Sequence, residues 1–324
     1  AQNSRIFKEL LVQNDLKAGD IENLAWWWQV TNSRLEEGKK FWQNKNLMRR
    51  GCFAPDLTAG YTPTLNLFVA DITRGLGQRN FEEIVGHQEE ISQLERYLAK
   101  GEFNNALLVG EPGSGRGAIV QALAQRVLFG ESLKELNFKR VVSLDLRRIL
   151  SLENWEIVLN QVLTETFNAD NVILVVEDLE NFVGSSLKEK GKIDVSGNLL
   201  KFLKQPNFKI IGVTNFEGLH RAIEPSSING FFEKVRVSEV SSQETINLLE
   251  LWTPYWEEKS KKFLSYPALR EIVRQSEKYL PAAAFPQKAT DLVEELLVFV
   301  GQIKENVILP EHVNQLISEK TRIP

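Results

Sequence analysis

The chain has 324 residues, 43% hydrophobic and 25% charged, a balance that supports a packed core and excludes a fibrous or disorder-dominated protein. A formal charge of −4 gives no global attraction to nucleic acid or to an anionic membrane, so neither is expected as a partner. One cysteine, Cys52, excludes an internal disulfide framework, and with only three histidines it leaves no set for a structural zinc ion.

Residues 1–58 read as an N-terminal helical segment and linker. Ile6, Phe7, Leu10 and Leu11 share one short amphipathic face, and Asp20 reads as the N-cap of a second helix carrying Ile21, Leu24, Trp28 and Leu35. Trp26, Trp27 and Trp28 are consecutive, and at about 100° per residue they cannot all enter one core. At least one points elsewhere, either onto a neighbouring element or toward a partner protein. The former is the simpler expectation, because large aromatics are buried on average. Residues 51–63 are rich in helix breakers and read as a linker.

Residues 59–237 alternate helices with apolar strands. Strands are expected at 106–109, 141–145, 172–176, 209–213 and 234–237, with helices between them, including Gln88–Ala99 and the stripe Trp155, Val158, Leu159, Val162, Leu163, Phe167. Continuous apolar strands separated by helices imply a five-stranded parallel sheet buried on both faces, hence an α/β domain. After Val237 no further strand is expected. Ser241-Ser242-Gln243-Glu244 is a capping box, and Pro267, Pro286 and Pro310 each sit where a first-turn proline starts a helix, so 238–324 read as a small helical domain. No run of about 18 apolar residues and no basic-then-apolar leader occurs, so the chain is expected to be soluble, in the cytoplasm or an organelle stroma or matrix. It begins with Ala1 rather than Met, which reads as a piece of a longer chain.

The chemistry centres on Gly110-Glu111-Pro112-Gly113-Ser114-Gly115-Arg116-Gly117-Ala118, set between a strand and a helix. This is the context of a phosphate-binding P-loop, in which backbone N–H groups and the positive end of a helix dipole converge on an anion. Where the motif has a lysine for the β- and γ-phosphates and a hydroxyl for Mg²⁺, this chain has Arg116 and Gly117. The strand 172–176 ends in Glu177-Asp178, two carboxylates in the reverse of the order that places the shorter one at a metal and the longer one at an attacking water. Both read as a relict acidic pair.

From Tyr61 to Pro324 the chain resembles the first ATPase module of the Clp-type AAA+ unfoldases and disaggregases. Thr62-Pro63-Thr64-Leu65 with Asp71-Ile72-Thr73 is similar to the lead-in of that family, and Asn104-Asn105-Ala106-Leu107-Leu108-Val109-Gly110-Glu111-Pro112-Gly113 to its N-N-P-h-L-h-G-E-P-G run. Ile84-Val85-Gly86 resembles the segment that reads adenine, Gly212-Val213-Thr214-Asn215 the sensor 1 strand end, and Phe285-Pro286-Gln287-Lys288-Ala289-Thr290-Asp291 the lid helix. The resemblance implies a P-loop AAA+ domain followed by a helical lid. It implies nucleotide contacts from Val85, Gly86, Gly110, Glu111, Pro112, Gly113, Ser114, Gly115, Arg116, Gly117 and Asn215, with ATP or ADP as ligand.

The departures fall on the working parts. Asn229-Gly230-Phe231-Phe232 stands where the family has E-R-R-F, whose arginines reach a neighbouring subunit's ATP, and neither Arg221 nor Arg236 is expected to replace them. Asp145 to Ser151 runs almost directly into the next helix where the family inserts a substrate-gripping loop with an aromatic. The expectation is a pseudo-ATPase that binds nucleotide weakly or not at all, with no Mg²⁺ site. Its role would be nucleotide sensing or scaffolding, with protein partners, other Clp-like subunits or further domains of the same chain. Phe231 and Phe232, if exposed, would offer such a partner an apolar contact. The alternative is a divergent but active module of a longer unfoldase.

Overall fold

The computed structural model describes residues 18–39, 62–77, 86–101, 103–184, 193–281, 283–301 and 306–321. They fall into two compact units divided between Glu239 and Val240, with helix α1 (Ala18–Lys39) grouped with the C-terminal unit. The expected helix around Ile6–Leu11 and the linker up to residue 61 lie outside the described residues.

The α/β unit opens with α2 (Pro63–Phe68), β1 (Val69–Asp71), α3 (Ile72–Gly77) and α4 (Gln88–Leu98). It continues with β2 (Asn105–Val109), α5 (Arg116–Phe129), β3 (Arg140–Leu144), α6 (Leu146–Leu150), α7 (Trp155–Ala169) and β4 (Val172–Val176). After α8 (Ser196–Leu203) come β5 (Lys209–Thr214) and β6 (Glu233–Arg236). The strand order is β1-β3-β4-β5-β2-β6, and the five strands from β3 to β6 run parallel. The expected five are therefore all present, and a sixth joins them: β1 pairs antiparallel with β3, its Asp71 accepting from Arg140 Nε at 2.6 Å. Three residues are too short to carry an alternation pattern, so this edge strand left no periodic signal.

Both sheet faces are buried because successive side chains alternate sides. Leu107, Val109, Leu174 and Val176 face α7 and α8, where Leu159, Val162, Leu163, Leu199 and Leu203 cover them. Ala106, Leu108, Ile173 and Val175 face the other way, against Ile91, Leu94 and Leu98 of α4 and Ile119, Leu123 and Val127 of α5. The sheet thus presents one usable edge for chemistry, the carboxyl ends of its parallel strands.

The C-terminal unit contains α9 (Ser242–Ser260), β7 (Phe263–Leu264), α10 (Tyr266–Tyr279), α11 (Gln287–Gly301), β8 (Val307–Ile308) and α12 (Pro310–Thr321). The four expected helices are present, with Pro267 in the first turn of α10, Pro286 just before α11 and Pro310 opening α12. The expectation of no strand after Val237 is corrected by a two-residue parallel pair, Phe263 with Val307 and Leu264 with Ile308. So short a pairing is made by tertiary contact rather than by local preference.

At the start of α9, Ser241 accepts from Glu244 N while the Glu244 side chain returns to the Ser241 backbone, so both halves of the capping box form. Ser241→Ala should therefore cost about 1 kcal/mol. The check is a urea unfolding curve of the full chain, in which an unchanged midpoint would count against the cap.

Asp20 is not the N-cap of α1, which begins two residues earlier. Its carboxylate is buried and accepts from Tyr266 Oη at 2.9 Å and Arg270 Nη1 at 3.1 Å on α10. Trp27 donates its ring N–H to the Glu250 carbonyl of α9 at 2.9 Å, whereas Trp28 points outward and is 64% exposed. Among the described residues no helix is long and apolar enough to cross a membrane.

Candidate functional site

Strands β4, β5 and β2 lie side by side in that order and end together, Val176 pairing with Gly212 and Val109 with Thr214. Glu177, Asn215 and Gly110 therefore leave the sheet along one edge, where open parallel sheets bind ligands. The Gly110 N–H donates to the Thr214 carbonyl at 3.2 Å. A Cβ at Gly110 would lie 2.8 Å from both the Val237 carbonyl oxygen and Ser114 Oγ, so only glycine fits there.

The loop then turns through Gly113 and Gly115, whose φ values of 88° and 98° are reached without strain only by glycine. Gly115 is the N-cap of α5 and has no side chain to cap it, so the N–H groups of the first turn are left for an anion. Ser114 is 1% exposed and its Oγ has no partner; Arg116 Nη1 is also buried without one. Orphaned buried polar atoms around such a cradle fit a phosphate-bearing ligand. Glu111 and Pro112 are exposed on the loop, and Ser114 N closes it by donating to the Glu111 carbonyl at 3.1 Å.

The acidic pair follows directly on β4. Glu177 is exposed, and Asp178 takes a left-handed conformation at φ 49° with its carboxylate held by Arg147 Nη2 at 2.8 Å. That ion pair is solvated and energetically small, but it occupies the carboxylate. Asn215 Oδ1 accepts from Gly218 N at 2.6 Å, capping the single turn Phe216–Gly218. Val85 lies outside the described residues, and Gly86 stands at φ 83° just before α4. Among the described residues no group of three or more His, Cys, Asp or Glu side chains is placed to hold a metal ion.

One residue of this neighbourhood escaped sequence reasoning. His87, the N-cap of α4, has a side chain only 5% exposed, and a Cβ at Gly115 would lie 2.9 Å from its Nε2. A single histidine after a glycine carries no recognisable pattern; only the fold brings it to the loop.

Residues 106–239 match the family described as "ATPase family associated with various cellular activities (AAA)". The chain is 32% identical over 243 residues to the ClpA homolog of the ATP-dependent Clp protease from Guillardia theta, covering 74% of this chain and 30% of that protein. It is 31% identical over 239 residues to ClpC of Staphylococcus epidermidis, covering 72% of this chain and 29% of that protein. A cryo-EM reconstruction of Hsp104 with ATPγS and FITC casein superimposes with a TM-score of 0.72 at 26% identity, over 81% of this chain and 46% of that one. The chain contains a Clp-type AAA+ module. It spans about three tenths of the length of the curated relatives it matches.

The AAA+ fold is one that holds ATP or ADP. The run expected at the finger-arginine positions forms a short turn, Asn229–Phe231, with open space around Gly230. Phe231 packs edge-on against Phe103 with ring centroids 5.3 Å apart, and Phe232 is 7% exposed. The expected apolar contact surface at these two residues is thereby corrected: both serve internal packing. Arg221 pairs with Glu217 at 3.2 Å, and Arg236 is exposed on the edge strand β6. Asp145 caps α6 by accepting from Arg148 N at 3.1 Å, and only Ser151–Asn154 separate α6 from α7. Trp155 packs on the core, so this connection presents no aromatic side chain to a substrate.

Proposed function

We propose that this module binds ATP or ADP at Gly110–Gly117 without hydrolysing ATP, and that it acts as a nucleotide-sensing or scaffolding element of a protein assembly. The observation that carries the reading lies inside one loop. An anion cradle with two buried unpartnered polar atoms is followed by Gly117, which has no hydroxyl to offer Mg²⁺. Arg116 supplies a planar guanidinium that pairs with phosphate oxygens but does not replace a compact ammonium. Nucleotide is thus held mainly by backbone N–H groups and Arg116, with little help from Mg²⁺.

Hydrolysis asks for more than binding. A general base must reach the attacking water, and Asp178 is already engaged by Arg147. A displacement of about 1 Å in such groups costs about a hundredfold in rate, and a missing arginine finger about 10³–10⁵. The short connection between α6 and α7 argues in the same direction for substrate threading. The partners consistent with this reading are proteins, either other Clp-like subunits or further domains of the same chain, rather than nucleic acid or membrane.

The test is a steady-state hydrolysis assay beside a calorimetric ADP titration of the same preparation. The expected result is saturable ADP binding with Mg²⁺-ATP turnover no faster than the buffer blank. Turnover of about 1 s⁻¹ or more would instead make the module a divergent but working part of an unfoldase.

A further inference from the structure

Two side chains of the loop have polar atoms with nothing to bond. Ser114 is 1% exposed, and its Oγ points across the base of the loop to Gly110, where a Cβ would lie 2.8 Å from it. That Oγ has no hydrogen-bond partner, and neither has the buried Nη1 of Arg116, the first residue of α5. Buried polar groups are almost always bonded, so both lack an acceptor. The first-turn N–H groups of α5, left uncapped by Gly115, need one as well. Residues 114–116 thus gather a hydroxyl, backbone N–H groups and a planar guanidinium, the last able to bind two oxygens of one group at once.

We infer that the loop is built for the terminal phosphate of a nucleoside diphosphate, with Ser114 and Arg116 selecting ADP over ATP. The inference rests on the reading of the loop as a nucleotide site. The β-phosphate of ADP is a chain end: it has three free oxygens and, above a second pKa of about 6, close to two negative charges. In ATP the same phosphate is an internal link with two free oxygens and one charge. A bidentate guanidinium takes two oxygens and leaves the third of ADP for the Ser114 hydroxyl and the first-turn N–H groups. With ATP that third acceptor is missing, and the attraction of this phosphate to Arg116 is about halved. Beyond the loop, the described strand ends offer a γ-phosphate little in return. Gly117 has no side chain, and the exposed Glu177 brings a like charge. Of the arginines there, Arg147 is held by Asp178. Arg236 leaves β6 on the face away from α5, because Val235 and Val237 on either side of it pack with the α5 core. The fraction of modules holding ADP then follows the ADP:ATP ratio, as a sensing element requires.

The experiment is a pair of calorimetric titrations of the full chain at pH 8 in EDTA, one with ADP and one with the hydrolysis-resistant β,γ-imido analogue of ATP. ADP should bind about tenfold more tightly, the equivalent of about 1.4 kcal/mol. Arg116→Lys keeps the charge and removes the fork, so the two affinities should come within about twofold of each other. Ser114→Ala removes one hydrogen bond and should lower the preference to about threefold. Each variant is read as a ratio of two ligands on one protein, so a general loosening of the loop cancels. The native pair stands whether or not the variants fold: equal affinities, or a tighter analogue, would overturn the selectivity while leaving nucleotide binding intact. A native preference that survives undiminished in both variants would overturn the roles of Ser114 and Arg116. Binding of neither ligand to the native chain would overturn the nucleotide reading, and this inference with it.

Discussion

Replacing Arg116 by Lys and Gly117 by Thr should give a site whose ADP affinity rises about 10- to 100-fold when Mg²⁺ is added, where the native site responds less than about twofold. A contact between a charged partner and a fixed polar group is worth about 1.5–3 kcal/mol, and the native loop has no side chain at position 117 to make it. The structure has room for the change: a Cβ on Gly117 meets nothing within 4 Å. The lysine adds a compact charge where the guanidinium now stands, which strengthens phosphate binding with or without metal. Titrations with Mg²⁺ and with EDTA separate the two contributions. If both chains answer Mg²⁺ equally, the hydroxyl is not what the native site lacks. Turnover should stay at background in the double variant, because neither substitution supplies a finger arginine.

Changing Glu250 to Gln should stabilise the C-terminal unit by about 2–3 kcal/mol at pH 8 and by less than about 1 kcal/mol at pH 5. Glu250 is 3% exposed on α9, and neither carboxylate oxygen has a hydrogen-bond partner. Burial first, and then the negative charge of Asp20, push its pKa from 4.5 to about 7. The folded chain therefore holds a proton that the unfolded chain releases above about pH 4.5. The stability due to that proton is complete below 4.5, declines as pH rises, and is gone once pH passes about 7. Glutamine has no proton to lose, so the slope disappears. The neighbouring contacts survive the exchange, since Trp27 donates to the Glu250 main-chain carbonyl and Tyr266 and Arg270 hold Asp20. Urea unfolding between pH 5 and pH 8, followed by tryptophan fluorescence, gives the slope directly; a native slope that persists in the variant would assign it to another group.

What could be read from the sequence divides by range. The P-loop, its strand and its helix are local: five consecutive buried strand residues, glycines at the two left-handed positions and an apolar helical stripe all lie within Asn105–Phe129. The Ser241 capping box is local too, and it formed as expected. The misreadings involve partners far away in the chain. Asp20 has the side chain of an N-cap, yet it is held by Tyr266 and Arg270, 246 and 250 residues away. Phe231 and Phe232 have the composition of a contact surface, but Phe103 and the core cover them. Asp178 was legible as an acid at a strand end, whereas its capture by Arg147 depends on two neighbouring strands ending side by side. His87 needed α4 to be laid against α5 before it meant anything.

The two margins of the sheet are each protected against strand pairing. A parallel sheet left with bare outer strands is a template for backbone pairing and hence for fibre-like aggregation. Here one margin ends in a three-residue strand of opposite direction, tied down by Asp71 and Arg140. The other ends in Glu-Lys-Val-Arg, with Glu233 and Lys234 engaged in ion pairs and Arg236 in solvent. Both margins discourage an incoming strand, one by brevity and the other by charge. Pairing of this sheet edge to edge with another is thereby disfavoured at both margins.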